Sequence, residues 1–307
     1  MIEEEIEIDA GEVTLAATLT RPEGRAEPPL VLCIHGSGPL DRDENVSKRQ
    51  GLNIFNTFAR HFAAHGIACL RYDKRGIGGS GGTYLTHSLA DLVADAEACL
   101  AWCRESGRFG RLYALGHSEG TVIAPRLKRV DGLLLIAPFA TPMAEILRRQ
   151  AATLEAEIAG LPGAKGWWLR RLFNVLGPPT KHQARLLTRL RTTTKPTFRS
   201  AFRPVAARSL RDHLALDHGA LFAGVACPTL VLSCGEDLQC PPEDGARIAA
   251  MIGPHATGVL LPGVSHILRD MEGDTGFFGY AAQMKRPIAP AVLTSITDWL
   301  LPRAATS

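Results

Sequence analysis

The chain has 307 residues, of which 46% are hydrophobic and 21% are charged, and its formal net charge is +3 at pH 7. This composition excludes a disordered or low-complexity chain, and so small a net charge gives no support for a nucleic-acid-binding protein. No apolar run approaches the roughly 18 residues that a membrane-spanning helix needs, so stable membrane insertion is not expected. The first residues, MIEEEIEIDAGEVTL, alternate acids with isoleucines and do not resemble a signal peptide, which predicts a cytoplasmic location.

Short apolar runs alternate with longer stretches of helical periodicity, which predicts an α/β fold with a mostly parallel sheet and helices on both faces. The first twenty residues alternate polar and apolar side chains instead, which predicts an antiparallel hairpin at the sheet edge. The predicted core strands are LVLCIHG (30–36), IACLRYD (67–73), LYALGH (112–117), GLLLIAP (132–138), PTLVLSCG (228–235) and TGVLLPG (257–263). They are short and almost continuously apolar, as strands buried on both faces should be.

Two helices between these strands can be placed from their periodicity and capping residues. NIFNTFARHFAAHG spaces Phe55, Phe58 and Phe62 along one helical stripe. Further along the chain, Ser88 followed by Asp91 predicts a capping box ahead of a second apolar stripe. Both helices are interpreted as scaffold.

The strand rhythm stops after LIAPFA and returns only at CPTLVL, so residues 141–216 are predicted to form an all-helical insertion. Its first predicted helix has Thr141 as the cap and Pro142 as the first helical residue. Because ligands of open α/β sheets bind at the carboxyl edge of the strands, we expect the insertion to be a lid over that edge. The core domain would then comprise residues 1–140 and 217–307.

Charge is unevenly distributed along the chain. Residues 141–216 contain fourteen Lys and Arg against four Asp and Glu, a net charge of +10, and the remainder of the chain therefore carries −7. One interpretation is a solvated outer face that also pairs with the acidic core domain. The other is a positive field at the entrance that attracts anionic substrates or holds the protein near anionic lipid.

Seven cysteines are scattered along the chain without a C-x-x-C pair. In a cytoplasmic chain this pattern favours buried, reduced thiols over disulfides or a metal site. No H-E-x-x-H or other paired metal-ligand spacing occurs, and RGIGGSGG (75–82) lacks the lysine and Ser/Thr that end a phosphate-binding P-loop. The sequence therefore predicts neither a metal nor another cofactor.

The segment LYALGHSEGTV places Ser118 between two glycines, where a predicted strand gives way to a predicted helix. A serine hydroxyl becomes a strong nucleophile only when it is exposed and a base removes its proton. In a G-x-S-x-G turn the small flanking residues lift the serine above the sheet. We therefore interpret Ser118 as a nucleophile, with an ordinary glycine-rich turn as the alternative.

A base and an orienting acid should follow the nucleophile along the chain. Asp237 follows the strand TLVLSCG, and His266 follows the strand TGVLLPG. Both are at carboxyl ends of strands, the edge that carries Ser118, so His266 is the predicted base and Asp237 the acid that fixes its tautomer. Glu236 and Asp244 remain alternatives for the acid.

An oxyanion hole needs rigid backbone N–H groups beside the nucleophile. One predicted donor is the amide of Glu119, directly after the serine. The second is expected from the loop IHGSGPLDRDEN, in which the Ser37 amide is favoured and the Gly38 amide is the alternative. His35 in the same loop is interpreted as a brace that does not act as the base.

Together, the segments HGSG, RYDKRGIGGSGG, GHSEG, GEDLQCPP and PGVSHIL resemble the α/β-hydrolase superfamily over nearly the whole chain outside the insertion. The loop HGSGPLDRD is similar to that of bacterial serine hydrolases described as carboxylesterases or as serine aminopeptidase-like. The resemblance implies an α/β-hydrolase fold with Ser118 as nucleophile, Asp237 as acid and His266 as base. It also implies oxyanion amides at Ser37 and Glu119.

The resemblance and the residues together predict a cofactor-independent serine hydrolase that cleaves a small-molecule carboxylic ester through an acyl-enzyme. An aminopeptidase or an acyl thioesterase would use the same three residues, and a non-catalytic binding protein with this fold is the remaining alternative. No nucleic-acid partner is expected. The residues that bind substrate stay open, because the insertion matches no known pattern.

Overall fold

The computed structural model describes residues 1–47, 50–200, 203–273 and 275–305. The strands within them are β1 (Ile2–Asp9), β2 (Thr14–Arg21), β3 (Leu30–Ile34), β4 (Asn45–Ser47), β5 (Gln50–Gly51), β6 (Ala68–Tyr72), β7 (Leu112–His117), β8 (Gly132–Ile136), β9 (Thr197–Ser200), β10 (Arg203–Ala206), β11 (Thr229–Glu236) and β12 (Ala256–Ser265). The helices are α1 (Ile54–Ala64), α2 (Leu89–Glu105), α3 (Gly120–Ile123), α4 (Met143–Gly160), α5 (Gly163–Leu176), α6 (Pro179–Thr192), α7 (Ala207–Leu214), α8 (His218–Ala223), α9 (Asp244–Ile252), α10 (Tyr280–Gln283) and α11 (Pro290–Ala305).

Eight of these strands form one sheet in the order β1-β2-β6-β3-β7-β8-β11-β12. β1 pairs antiparallel with β2, β2 pairs antiparallel with β6, and every later pairing in the sheet is parallel. The six predicted core strands and the amino-terminal edge hairpin are therefore confirmed. The expectation that all six are buried on both faces is wrong for β12, where Leu260 is 59% exposed, because this strand lies at the other edge of the sheet.

Apolar side chains of the strands alternate between the two faces of the sheet. Leu30, Leu32 and Ile34 of β3 belong to the core on one face, and Val31 and Cys33 belong to the core on the other. The first core is closed by α2, α8 and α9, and the second by α1 and α11. Helical layers thus enclose the sheet on both faces, as its continuously apolar strands require.

The two scaffold helices form where the sequence predicts them. At the start of α2, Ser88 Oγ accepts a hydrogen bond from the Asp91 amide at 3.1 Å, and the Asp91 carboxylate accepts one from the Ser88 amide at 2.7 Å. On α1, Phe55, Phe58 and Phe62 are all buried. Among the described helices, none combines the length and the apolarity needed to cross a bilayer.

The segment between β8 and α8 differs from the predicted all-helical insertion. It contains α4, α5, α6 and α7, but β9 and β10 pair as a small antiparallel sheet between α6 and α7. Phe198 of β9 packs with Leu190 and Ala207 in a small separate core. The prediction failed because each strand has only four residues, too few to give a periodic signal in the sequence.

The predicted cap of α4 is also wrong, by one position. Pro142 occupies the cap position, and α4 begins at Met143 without a side-chain cap. Thr141 Oγ1 instead donates a hydrogen bond to Asp244 Oδ1 at 3.0 Å, and the Asp244 carboxylate also accepts the amides of Thr141 and Ala140 at 2.7 and 2.9 Å. The Thr141 hydroxyl therefore faces α9 and not the first turn of α4.

Candidate active site

The turn between β7 and α3 holds Ser118 in a conformation that the flanking glycines make possible. Ser118 has a φ of 51°, in the left-handed region, and its amide donates to the Ile136 carbonyl at 3.0 Å. A Cβ atom on Gly116 would lie 2.2 Å from the Gly120 carbonyl oxygen, and one on Gly120 would lie 2.2 Å from the Ile34 carbonyl oxygen. Only glycine fits at either position, so the spacing read from the sequence has a steric cause.

Asp237 and His266 meet at the carboxyl ends of β11 and β12. The His266 Nδ1 atom lies 2.7 Å from Asp237 Oδ2, and both side chains are buried. Asp237 Oδ1 accepts the amides of Gln239 and Cys240 at 2.7 and 2.8 Å, so the carboxylate is held from both sides. With Nδ1–H donated to the carboxylate, Nε2 of the imidazole is left as the basic atom.

The structure also places the two alternative acids. Glu236 is the last residue of β11 and is exposed. Asp244 is fully buried, but its oxygens bind the amides at the start of the insertion and the Arg247 guanidinium. Among the described carboxylates, Asp237 is the one that hydrogen bonds to the His266 ring.

Cys240 lies close to this pair and was not singled out from the sequence. Cys240 and Ser118 line the same cavity, and burial raises the pKa of the Cys240 thiol well above its ordinary value. The Cys240 sulfur lies within 4.8 Å of donor atoms of both Asp237 and His266. These three residues do not fit a metal ion. The Asp237 carboxylate and His266 Nδ1 are already hydrogen bonded to each other, and burial keeps the Cys240 thiol protonated.

The two predicted oxyanion donors lie at one small cavity with the serine. Ser37, Ser118 and Glu119 line a space of about 130 Å³ between the sheet edge and α4. The hydrogen bonds formed within the described residues include none donated by the Ser37 or Glu119 amide. Both residues thus border the cavity, and their role as oxyanion donors stays a prediction.

A second buried acid–histidine pair lies behind the nucleophile. Glu44 Oε1 accepts the Gly36 amide at 2.6 Å, and Glu44 Oε2 lies 2.8 Å from His117 Nδ1. His117 Nε2 in turn lies 3.1 Å from the His266 carbonyl oxygen. Both rings and the carboxylate are buried, so this pair ties the loop of Ser37 to the loop of His266 through the residue before the nucleophile.

The environment of this pair favours its charged form. Burial alone raises the pKa of Glu44, but His117 and the Gly36 amide bring it below its ordinary value. Burial alone lowers the pKa of His117, but Glu44 brings it above its ordinary value. Glu44 is therefore ionised at neutral pH, and His117 keeps its proton to a higher pH than an ordinary histidine does.

The residue after the nucleophile, Glu119, is a buried carboxylate with a lysine and a histidine as neighbours. Lys74 Nζ donates to Glu119 Oε2 at 3.0 Å and to the Gly36 carbonyl at 2.7 Å. His213 Nε2, from α7 of the insertion, lies 3.2 Å from Glu119 Oε1 without the alignment of a hydrogen bond. Burial raises the pKa of Glu119, but Lys74 and His213 together lower it below its ordinary value, so the carboxylate is ionised.

His35 directly follows β3 and is buried beside the site. Its ring packs edge-on against Tyr72 and against Phe55. Burial lowers the pKa of His35 to about 4, so its ring is neutral. The expected bracing of the loop by His35 hydrogen bonds stays a prediction, and within the described residues its Nε2 atom has no hydrogen-bond partner.

The seven cysteines are all free, and six of them are buried.

The glycine-rich loop after β6, residues 75–82, wraps around the carboxylate of Asp73. This carboxylate accepts the Gly79 amide at 2.9 Å and binds the Arg42 guanidinium. Since a carboxylate occupies the centre of this loop, it is unsuited to phosphate.

An apolar groove leads away from the serine into the insertion. Its volume is about 750 Å³, and it lies among α4, α5 and α6. Leu147 and Gln150 of α4 line both this groove and the cavity of Ser118, so the two spaces adjoin. The groove is also lined by Ala151, Leu154, Phe173, Pro179, His182, Gln183, Leu186, Ser200, Arg203 and Phe277.

The sheet order and the elbow serine are those of an α/β hydrolase. The model of the family described as serine aminopeptidase, S33, matches residues 51–272, and the chain belongs to this family.

Two curated relatives and two solved structures are similar to the chain. It is 33% identical to esterase EstD of Thermotoga maritima over 146 residues, which cover 46% of this chain and 34% of EstD. It is 23% identical to the quorum-quenching protein AidA of Acinetobacter baumannii over 274 residues, which cover 82% of this chain and 84% of AidA. The match to EstD thus spans about a third of that relative's length.

Among solved structures, Est1E of Butyrivibrio proteoclasticus with bound ferulic acid has a TM-score of 0.64 at 16% identity, covering 98% of this chain and 100% of Est1E. The α/β hydrolase GrgF of Penicillium sp. sh18 has a TM-score of 0.64 at 18% identity, covering 99% of this chain and 100% of GrgF. At these identities the likeness shows the fold.

Proposed function

We propose that the chain is a serine carboxylesterase that works through an acyl-enzyme. The observation that carries this proposal is the buried Asp237–His266 pair at the sheet edge that bears the elbow serine. Ser118 Oγ attacks the ester carbonyl carbon while His266 Nε2 takes its proton, and Asp237 stabilises the imidazolium. The amides of Ser37 and Glu119 bind the oxyanion that forms.

The remaining steps reuse the same groups. His266 gives its proton to the leaving alkoxide oxygen as the C–O bond breaks, which releases the alcohol and leaves Ser118 acylated. A water molecule then attacks the acyl carbon, His266 takes a proton from it, and that proton returns to Ser118 Oγ as the acid leaves. No cofactor enters this scheme.

The relatives and the charge of the cavity support an ester over a peptide substrate. EstD is named an esterase. An aminopeptidase, the activity in the family's description, would need a carboxylate to bind the ammonium group of its substrate. Glu119 is the buried carboxylate of the cavity, and its ion pair with Lys74 already neutralises it.

The groove supports a substrate with a large apolar group, with the insertion acting as a lid. A volume of about 750 Å³ lies in the range of pockets that enclose drug-sized ligands and far exceeds what an acetyl group fills. The groove adjoins the cavity of Ser118 through Leu147 and Gln150. Each methylene that the groove buries should raise kcat/KM about fourfold, the factor for transfer of one CH₂ out of water.

The serine mechanism is tested with a fluorophosphonate probe and with p-nitrophenyl esters, aminoacyl anilides and acyl-CoA thioesters. We expect labelling of the wild type, faster turnover of esters than of the other two classes, and no labelling of Ser118→Ala. That variant should lose a factor on the order of a million in kcat. Ester turnover at the wild-type rate by Ser118→Ala would refute the proposal.

The groove is tested by filling it. Ala151 is a buried groove residue of α4, and its neighbour Ala152 is exposed on the same helix. We expect Ala151→Trp to lower the ratio of kcat/KM for the decanoate ester to that for the acetate ester, because the indole occupies the space of the chain. Ala152→Trp should keep the wild-type ratio. If the wild type, Ala151→Trp and Ala152→Trp all have the same ratio of kcat/KM for the two esters, substrate does not enter the groove.

A further inference from the structure

Helix α5 presents an unusual number of large apolar side chains to solvent. The outer face of α5 is formed by Trp167, Trp168, Arg171, Val175 and Leu176. The exposed fractions of its apolar side chains are 56% for Trp167, 63% for Trp168, 80% for Val175 and 54% for Leu176. Residues spaced by four positions share a helix face, so 167, 171 and 175 form one stripe, and 168 and 176 lie on the adjacent one.

The opposite side of α5 is fixed to the end of α4. A Cβ atom on Gly166 would lie 1.8 Å from the Leu161 carbonyl oxygen, so the helix is closely packed there. Arg170 Nη1 donates to the carbonyl oxygens of Leu161, Ile158 and Ala159 at 2.7, 3.3 and 3.3 Å. Gly166 and Arg170 are also four residues apart, and they hold α5 so that its two tryptophans point outward.

Cationic side chains accompany the exposed rings. The Arg171 guanidinium lies 5.7 Å from the centre of a Trp167 ring, and Lys165 Nζ lies 4.7 Å from the centre of the Phe278 ring, which is itself 36% exposed. The insertion that carries α5 has fourteen basic residues against four acidic ones. An exposed apolar face within a net positive segment matches a surface that is apolar and negatively charged.

We propose that the outer face of α5 binds the surface of an anionic lipid bilayer. Trp side chains favour the interface between headgroups and acyl chains, and an amphipathic helix with Trp and Leu flanked by Arg and Lys lies in that interface without crossing it. Each Lys or Arg near an anionic surface strengthens binding about fivefold. The groove of the proposed active site opens among the same helices, so bound protein has its groove near the membrane.

The test is sedimentation of the full chain with vesicles, which needs no enzymatic activity. We expect binding to vesicles of two parts phosphatidylcholine and one part phosphatidylserine, with much weaker binding to phosphatidylcholine alone. Binding should fall at about 1 M NaCl, where the Debye length is about 3 Å. Trp167→Ser with Trp168→Ser should lower the affinity by a factor on the order of ten to a hundred, because the rings no longer bury apolar surface.

Leu260→Ser is the matched control, since Leu260 is equally exposed but lies on β12, outside the insertion. This variant should bind vesicles as the wild type does. Equal binding by the control and the double variant would overturn the proposal, and so would failure of the wild type to bind. If the wild type is instead a dimer that the double variant converts to a monomer, the outer face of α5 contacts a second copy of the chain and the proposal is wrong.

Discussion

The buried pair of Glu44 and His117 leads to a prediction for Glu44→Gln. The change removes the charge that faces His117 and keeps a side-chain oxygen for the Gly36 amide. Loss of one partner from a buried ion pair costs about 3–5 kcal/mol when the other stays charged. His117 can lose its proton, so we expect the lower limit, about 3 kcal/mol of unfolding free energy in weakly acidic solution.

This cost should depend on pH in a direction that the pKa shifts define. The pKa of Glu44 is below its ordinary value of 4.5 in the folded protein, so its contribution is present above pH 4.5 and is lost as pH falls through the folded pKa. The pKa of His117 is above its ordinary value of 6.5, so its contribution is full below pH 6.5 and is lost as pH rises through the folded pKa. The contributions of Glu44 and His117 to stability are therefore both fully present between pH 4.5 and pH 6.5.

The assay is urea unfolding of the wild type and Glu44→Gln within that window and in alkaline buffer. The difference in unfolding free energy should shrink to about 1 kcal/mol at alkaline pH, where His117 is neutral and only a hydrogen bond is lost. Glu27→Gln, at an exposed glutamate, should show neither the loss nor its pH dependence. A difference that stays constant from weakly acidic to alkaline pH would refute the assignment of charge to the pair.

Two further predictions concern the acid and the charge of the insertion. Asp237→Asn should lower kcat by a factor on the order of ten thousand, because an amide favours the wrong imidazole tautomer, whereas Glu236→Gln should leave kcat nearly unchanged; the reverse pattern in steady-state kinetics would assign the acid to Glu236. If the net charge of +10 on residues 141–216 steers substrates, kcat/KM for a carboxylate-bearing ester should fall more between low and high salt than for a neutral ester of equal size. Equal responses would contradict steering.

The core strands and the position of the elbow follow from local signals in the sequence. Continuously apolar runs predict buried strands, and glycines on both sides of Ser118 predict the turn whose steric need the structure shows at Gly116 and Gly120. Asp237 and His266 could be chosen as partners because carboxyl ends of parallel strands meet at one edge. Their contact in the structure is the geometry that this rule anticipates.

Loop side chains gave no comparable signal. Glu44 and His117 are 73 positions apart, and Glu44 has a φ of 64°, in the left-handed region that a side chain other than glycine rarely adopts. Lys74 reads as an ordinary surface lysine beside an arginine, yet it is 2% exposed and binds Glu119. These contacts depend on how three loops pack over one sheet edge, and that packing has no sequence period.

The sequence by itself determined the sheet, its helical layers and the three residues proposed for catalysis, because each depends on a repeating pattern or on a turn with one steric solution. Tertiary structure alone decided which polar groups surround those residues and where the insertion leaves its apolar side chains. The outer face of α5 illustrates the difference. The sequence favours packing roles for Trp167 and Trp168, but the contact of Gly166 with the end of α4 turns both rings to solvent. Burial is a property of the neighbours that a segment meets, and those neighbours come from distant parts of the chain.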